Sequence, residues 1–162
     1  MQRLRKLILF FIVCAIFYGC EGTNSNPVPF APVHVVLNTK TVFIDFLPGN
    51  TNTYVTVTEK GYYKNGKFVQ SLSVFDAYGY AGIVAYISIL GYTAYDMACP
   101  YCAAHGTKQR CTIDGIFAIC PHCGEQYDLG GGFAMPQKNI SPDPLRSMSV
   151  IPSDDKVTIT QK

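Results

Sequence analysis

The sequence has no tryptophan, only three histidines and few charged residues, which account for 15% of its 162 positions. Hydrophobic residues account for 48%. Disordered chains are rich in charge and poor in apolar residues, so this composition excludes a chain that is disordered throughout. The 11 tyrosines, 10 phenylalanines, 14 glycines and 10 prolines favour β-structure over helix. The length allows one domain of ordinary size.

Clustered positive charge is lacking beyond the first six residues. Arg3, Arg5 and Lys6 supply three of the 13 basic residues, and the remaining 10 face 11 acidic residues, a net charge of about −1. A near-neutral chain without a basic cluster is a poor nucleic-acid binder. Nucleic acid is therefore not an expected partner.

A long apolar run is also lacking. Residues 7–18 form an apolar run of 12 residues, whereas a membrane-spanning helix needs about 20. A short basic segment followed by a run of this length is typical of a secretory signal. Gly19-Cys20 at its end resembles the cleavage site of bacterial lipoproteins, so residues 1–19 are predicted to be a lipoprotein signal peptide and Cys20 its lipidated residue. The alternative is an ordinary signal peptide in which Cys20 is incidental.

The segment after Cys20 predicts a tether. Residues 20–32 contain three prolines among Gly, Thr, Ser and Asn, a composition typical of a flexible linker. We expect a protein that is held to a membrane by a lipid at Cys20 and lies in the bacterial cell envelope, on the periplasmic or surface side.

Residues 33–162 are predicted to form short strands, with no convincing helix. Asn65-Gly66 and Asp114-Gly115 are hairpin signals. Further strands are predicted at 33–37, 41–47, 53–58, 83–90, 92–97, 147–151 and 156–160. Short strands at this spacing predict an all-β domain, as a sandwich or small barrel.

Two Cys-Pro-x-Cys motifs carry the chemistry, at 99–102 and 120–123, with 17 residues between them. Two residues between cysteines let both thiolates of one tight turn reach one metal, and Gly124 permits the backbone that closes such a knuckle. This spacing is a strong metal signal. The predicted ligands are Cys99, Cys102, Cys120 and Cys123, within metal-binding loops at 99–105 and 120–127.

Other interpretations of the cysteines remain open. Thioredoxin-type redox chemistry needs a helix after the first cysteine, which the sequence does not predict. Disulfides fit an oxidising envelope, and five cysteines remain after Cys20, an odd number. His105 is a possible substitute ligand for Cys102. Cys111 is a buried thiol, a disulfide partner or an alternative fourth ligand.

Three segments resemble a Rieske domain. GYAGIVAY at 79–86 and YDMACP at 95–100 are similar to the lead-in to its first cluster loop. GIFAICPHCGEQYDL at 115–129 is similar to its second loop, and SPDPLR at 141–146 to its proline-rich loop. The resemblance runs from Gly79 to the C-terminus, and the whole is similar to the Rieske-like lipoproteins of bacterial envelopes. It implies a Rieske-like fold whose two loops form a rubredoxin-like or zinc-ribbon-like subdomain.

The resemblance also shows a departure in the ligands. Rieske centres use two cysteines on one iron and two histidines on the other. Cys99 and Cys120 match the cysteine positions, but the histidine positions fall on Tyr101 and Cys123, and His105 and His122 lie elsewhere. A four-thiolate set would hold either a low-potential [2Fe–2S] cluster or a single Zn or Fe ion.

Two functions follow as expectations. The resemblance implies electron transfer through a cysteine-ligated iron or [2Fe–2S] centre, with a redox partner protein. The missing histidines favour a non-catalytic structural or binding module that is held by a four-cysteine zinc knuckle or by disulfides. No Ser/His/Asp set or paired carboxylates stand out, so a carrier or binding module is expected rather than a catalyst.

Overall fold

The computed structural model describes residues 26–162. The predicted signal peptide, Cys20 and the linker up to residue 25 lie outside the described residues. The strands are β1 (Val33–Asn38), β2 (Tyr54–Thr58), β3 (Gly61–Lys64), β4 (Lys67–Gln70), β5 (Ala77–Tyr78), β6 (Ile83–Ser88), β7 (Gly91–Asp96), β8 (Thr112–Asp114), β9 (Phe117–Ile119), β10 (Gln126–Asp128), β11 (Met135–Pro136), β12 (Ser149–Pro152) and β13 (Lys156–Thr160). One short helix, α1 (Pro100–Ala104), is present among these residues. The predicted all-β fold is confirmed.

The strands form three antiparallel sheets. The first has the order β12-β13-β1-β5, the second β4-β3-β2-β6-β7, and the third β11-β10-β9-β8. The first two sheets share one apolar core, the sandwich core, which includes Val35 and Ile159 from the first sheet and Val55 and Ile87 from the second. The third sheet encloses a separate core, the site core, which contains the cysteines of both motifs.

Strand β6 joins the two cores. All six of its residues are buried. Ile83 and Ile87 contact the sandwich core, whereas Val84 and Tyr86 contact the site core. Successive strand residues point to opposite faces, so a strand covered on both faces is apolar throughout instead of alternating. Strand β6 therefore packs the core that holds the cysteine loops against the sandwich.

The hairpin and glycine signals are confirmed. Asn65 and Gly66 both have positive φ, at 47° and 78°, between β3 and β4. Gly115 has φ 57° between β8 and β9. These turn conformations twist the chain in the sense that antiparallel strands require.

The predicted strand at 41–47 is wrong. These residues form turns, in which the Phe43 amide donates to Asn38 O at 2.9 Å and the Phe46 amide donates to Phe43 O at 2.8 Å. Phe43 and Phe46 are fully buried in the sandwich core. Their three-residue spacing places both rings on one side of a coiled segment, whereas a strand would place them on opposite faces.

The segment before Val33 belongs to the folded unit. Val28 is buried against Ala81 and Ala98. The Asn26 side chain donates to Pro144 O at 3.0 Å, and the Arg146 guanidinium donates to the carbonyl oxygens of Asn26 and Val28. Residues 26–32 of the predicted linker therefore lie along the domain. Between residues 26 and 162, no helix has the length and apolar character needed to span a membrane.

Candidate metal centre

The two Cys-Pro-x-Cys motifs lie at adjacent strand ends. The first follows β7, where Ala98 bridges Arg110 and the Cys99 amide donates to Gln109 O at 2.9 Å. The second lies between β9 and β10, where the Cys120 amide donates to Glu125 O at 2.9 Å. The strands thus present both tight loops, the first and second knuckles, to the same space.

The first knuckle contains a helix that sequence reasoning missed. Pro100 begins α1, and the Ala103 amide donates to Cys99 O at 3.0 Å. Proline suits a first helical position because its φ is preset and its missing N–H has no helical partner there. The helix stops at once, since Gly106 follows with φ 73°. The prediction that no helix occurs after residue 33 is wrong by this one turn.

All four predicted ligand sulfurs converge. The Sγ atoms of Cys99, Cys102, Cys120 and Cys123 lie within 4.8 Å of one another. Cys99 Sγ is 3.7 Å from Cys123 Sγ, and Cys102 Sγ is 3.6 Å from Cys120 Sγ. Both short contacts join one knuckle to the other. The cysteines among the described residues form no disulfide.

Three of these cysteines are buried and the fourth is near the surface. Cys99 and Cys120 are 0% exposed and Cys102 is 1% exposed, whereas Cys123 is half-buried. Pro121 and His122 beside it are exposed. The site is therefore closed to water on most sides and reaches the surface at the second knuckle.

Backbone amides lie near the sulfurs. The amide of Cys102 favours the thiolate form of Cys99, and the amides of His122 and Cys123 favour that of Cys120. The amide of Glu125 acts in the same direction on Cys123. Such donors stabilise the thiolate, which is the form that binds metal.

The thiols of the cluster differ in their acidity. A hydrogen bond from the Cys111 thiol, together with the amides, lowers the pKa of Cys99 and Cys120. Burial raises the pKa of Cys102 and Cys123. Four thiolates packed this closely repel one another, so all four are deprotonated together only when a cation lies between them.

Tyr127 adds a side-chain donor from β10. Its hydroxyl lies 3.4 Å from Cys99 Sγ, and the residue is fully buried. Burial raises the pKa of Tyr127, and its hydrogen bond to Cys99 raises it further. The hydroxyl stays protonated and serves as a donor to the sulfur.

The substitute ligands do not join the cluster. His105 is exposed, its Nδ1 lies 2.7 Å from Tyr101 O, and its ring packs on the Tyr101 ring with centroids 4.3 Å apart. The early end of α1 turns it outward, so His105 does not lie among the four close ligand atoms. Cys111 is buried in the same core as the four cysteines, but it is not one of the four mutually close sulfurs. The proximity of Cys120 and Cys99, together with burial, raises the pKa of Cys111.

Glu125 is a second feature that sequence reasoning missed. It follows the second knuckle, is 0% exposed, and accepts five backbone amides. Oε1 accepts from Gln126, Gln137 and Lys138 at 2.9, 3.2 and 2.8 Å. Oε2 accepts from Ile140 and Ser141 at 2.6 and 2.9 Å. The carboxylate thereby anchors the 137–141 loop to the second knuckle.

Asp96, three residues before Cys99, likewise accepts backbone amides with a buried carboxylate. It is 2% exposed, and its carboxylate accepts the amides of Tyr80, Ala81 and Ala98 at 2.6, 3.1 and 2.9 Å. Burial raises the pKa of Asp96, against the opposing effect of these amides and of Arg146. The sequence signal for both Asp96 and Glu125 was an acidic residue within three positions of a Cys-Pro-x-Cys motif. Their burial, which makes several donors necessary, appears only in the structure.

Comparison with known proteins gives structural likeness only. No protein-family model and no curated protein matches the sequence. One solved structure that it resembles is titled a complex of reduced oxygenase and oxidized ferredoxin in carbazole 1,9a-dioxygenase, with TM-score 0.46, 16% identity, and 80% of this chain and 94% of that chain covered. Another is a ferredoxin of Sphingomonas yanoikuyae B1, with TM-score 0.37, 18% identity, and 50% and 76% covered. At these TM-scores and identities the neighbours assign this chain neither a family nor an activity.

Proposed function

We propose that the two knuckles hold one metal ion in four thiolates and that, with iron, the protein transfers single electrons. The observation that carries this proposal is the mutual approach of the four Sγ atoms within 4.8 Å. Metal–sulfur bonds of about 2.3 Å place the sulfurs of a tetrahedral site about 3.8 Å apart. The two shortest separations, 3.7 and 3.6 Å, match that value.

The same separations favour one ion over a [2Fe–2S] cluster. In such a cluster two irons lie side by side, and each carries its cysteines on its outer side. Sulfurs on different irons are then further apart than sulfurs on one iron. Here Cys99 and Cys102 contact Cys123 and Cys120 respectively, so no pair of sulfurs is separated by the width of a second ion.

The residues around the site suit electron transfer. Iron in four thiolates would supply a one-electron couple between the ferric and ferrous states. The chain keeps the coordination closed through three buried cysteines, and the amide and Tyr127 donors stabilise the negative charge on the sulfurs. Cys123 is half-buried beside exposed His122. An electron would enter from a reduced partner protein at this edge and leave to an oxidised one, with no bond broken.

Zinc is the second candidate, because a tetrahedral four-thiolate site has the same dimensions for zinc as for a single iron ion. A closed zinc site has no position for substrate and serves as a structural clamp. Under this alternative the chain is a binding or structural module whose two knuckles are held together by the ion.

The decisive experiment is anaerobic purification of the chain, followed by metal analysis and visible absorption on one sample. One iron per chain with sulfur-to-iron charge-transfer bands supports electron transfer, and one colourless zinc per chain supports the structural module. Cys120→Ser is expected to lose the metal, whereas His105→Ala, which changes an exposed histidine outside the cluster, is expected to keep it. Metal retained in Cys120→Ser, or a metal-free chain with disulfides, would contradict the four-ligand site.

We propose further that the protein is anchored in the bacterial envelope by a lipid on Cys20. The support lies in the sequence of residues 1–20, with its basic start, 12-residue apolar run and Gly19-Cys20 end. Labelling cells with a radioactive fatty acid tests the assignment. The wild-type chain is expected to carry the label in the membrane fraction, and Cys20→Ala is expected to carry none. An unlabelled wild-type chain would leave an ordinary signal peptide.

A further inference from the structure

Large apolar side chains are exposed at the turns of three separate segments. Ile89 and Leu90 lie in the turn between β6 and β7, Ile116 lies in the turn between β8 and β9, and Phe133 and Met135 follow a turn of three glycines at 130–132. We call these five residues the apolar patch. Contiguous exposed apolar residues mark a contact with another protein or with a membrane.

The glycine turn brings the three segments together. The Ile89 amide donates to Gly130 O at 3.2 Å. A Cβ added at Gly132 would lie 2.9 Å from Leu90 Cδ1, and one added at Gly130 would lie 3.5 Å from Ile116 Cβ. The side chains of Leu90 and Ile116 therefore lie against the turn, and the rest of the apolar patch follows that turn in the chain. The five residues form one continuous surface.

The apolar patch and the second knuckle lie at opposite ends of the third sheet. Strand β9 begins just after Ile116 and ends just before Cys120. Strand β10 begins just after the second knuckle and ends beside the glycine turn. A contact at the apolar patch therefore leaves the exposed edge of the metal centre free for a redox partner.

A groove joins the apolar patch to the start of the described chain. Phe133, Met135 and Pro144 all line this groove, and the Asn26 side chain donates to Pro144 O at 3.0 Å. Cys20, the proposed site of the lipid, precedes Asn26 by six positions. An extended chain spans at most about 3.3–3.6 Å per residue, so the lipid is attached within about 22 Å of Asn26. A bilayer that holds this lipid is therefore within reach of the apolar patch.

We propose that the apolar patch rests on the lipid bilayer, with its side chains at the boundary between headgroups and acyl chains. This inference rests on the proposed lipid at Cys20. Apolar side chains that enter this boundary by about 5–10 Å add buried apolar area to the binding by the lipid. The Asp128 carboxylate lies at the same turn, where its Oδ1 accepts the Gly131 amide. Anionic headgroups would repel it, so the contact is expected on zwitterionic lipid.

The test uses the lack of tryptophan in the chain, because a single introduced Trp reports on its own position alone. Phe133→Trp and Ile89→Trp, at side chains that are 66% and 79% exposed, are made in the full lipidated protein. Each is placed in phosphatidylcholine vesicles with brominated or ordinary acyl chains. Bromine quenches Trp fluorescence on contact, so both variants should lose most of their fluorescence in the brominated vesicles.

Phe75→Trp is the matched control. Phe75 is also 79% exposed, but it lies between β4 and β5. These strands form the edges of their sheets opposite to β7 and β12, whose residues line the groove. The control should therefore keep its fluorescence in the brominated vesicles.

Three results would overturn the inference. One is equal quenching of all three variants, and another is no quenching of the patch variants while the protein floats with the vesicles. The third is a blue-shifted emission of Phe133→Trp in the Cys20→Ala chain without vesicles, since protein would then cover the apolar patch, and a shift that grows with concentration would identify a second copy. A wild-type chain that carries no lipid by mass spectrometry is a separate result, which contradicts the anchor itself and this inference with it.

Discussion

Glu125→Gln isolates the role of the buried carboxylate behind the second knuckle. The substitution keeps the shape of the side chain and replaces one oxygen by an NH2 group. The Gln oxygen can occupy the place of Oε1 and accept the amides of Gln126, Gln137 and Lys138. The new NH2 group then faces the amides of Ile140 and Ser141, which approach Oε2 at 2.6 and 2.9 Å.

The cost follows from these two contacts. The amides of Ile140 and Ser141 would face the NH2 group of the Gln side chain, which is itself a donor and cannot accept them. Each buried amide that is left without an acceptor costs about 1–3 kcal/mol. We therefore expect Glu125→Gln to lower the free energy of unfolding by about 2–6 kcal/mol. The 137–141 loop should also exchange its amide hydrogens faster, since two of its anchoring bonds are lost.

The measurement is urea unfolding at neutral pH, with both proteins loaded with the same metal. Asp128→Asn is the matched control because it makes the same change of oxygen to NH2 on a neighbouring carboxylate. Asp128 is half-buried, and its Oδ1 accepts only the Gly131 amide at 3.2 Å. The amide oxygen of Asn can keep that bond, so the control should change stability by less than about 1 kcal/mol.

The pH dependence gives an independent check. Burial alone would raise the pKa of Glu125, but the amides of Ser141, Lys138, Gln126 and Ile140 together lower it. A carboxylate whose folded pKa is lowered stabilises the protein above its unfolded pKa, and this stabilisation is lost as pH falls through the folded pKa. The stability difference between wild type and Glu125→Gln should therefore shrink below a pH of about 4.5.

Two results would refute this reasoning. One is a Glu125→Gln protein whose stability lies within about 0.5 kcal/mol of the wild type at neutral pH. The other is a stability difference that stays constant down to the pH at which the wild-type carboxylate is protonated. Either result would mean that the five amides find other acceptors and that Glu125 does not anchor the loop.

Three further predictions concern the sulfur donor and the core. Tyr127→Phe removes the hydroxyl donor to the first knuckle, so the potential of bound iron should fall and stability should drop by about 1 kcal/mol; an unchanged potential in voltammetry would contradict this. Gly82→Ala places a Cβ 2.7 Å from Met97 Cε and 2.9 Å from Val57 O, whereas Gly91→Ala, also at positive φ, meets nothing within 4 Å. Thermal unfolding should therefore show a larger fall in melting temperature for Gly82→Ala. Equal falls for the two variants would count against the steric argument. Phe43→Ala should lower the free energy of unfolding in urea by about 3–5 kcal/mol, because the ring is fully buried. Ile44→Ala, at a side chain that is 56% exposed, should lower it little. Similar losses for the two variants would favour the strand that the sequence predicts there.

The sequence by itself determined the local features. The positive φ of Asn65, Gly66 and Gly115 matches the twist of antiparallel strands, which explains why the sequence predicts hairpins at Asn65-Gly66 and Asp114-Gly115. The two-residue spacing within each cysteine pair is likewise local, because it decides which atoms of one tight turn can face one ion. The strand-rich character of residues 33–162 was predictable because the residue types and turn signals on which it depends are also local.

Tertiary structure decided what depends on partners distant in the chain. The segment at 41–47 has strand-forming residues, but its two phenylalanines are buried on one side in turns because the sandwich core receives them there. In the sequence Glu125 resembles any loop carboxylate, because the amides that it accepts from residues 137–141 are brought to it only by the fold. Cys111 acquires neighbours only when β8 pairs with β9 and its amide bonds to Met97. Spacing along the chain can nominate four ligands, but only the folded chain decides which fifth sulfur and which carboxylate surround them, since those contacts join residues that the sequence keeps apart.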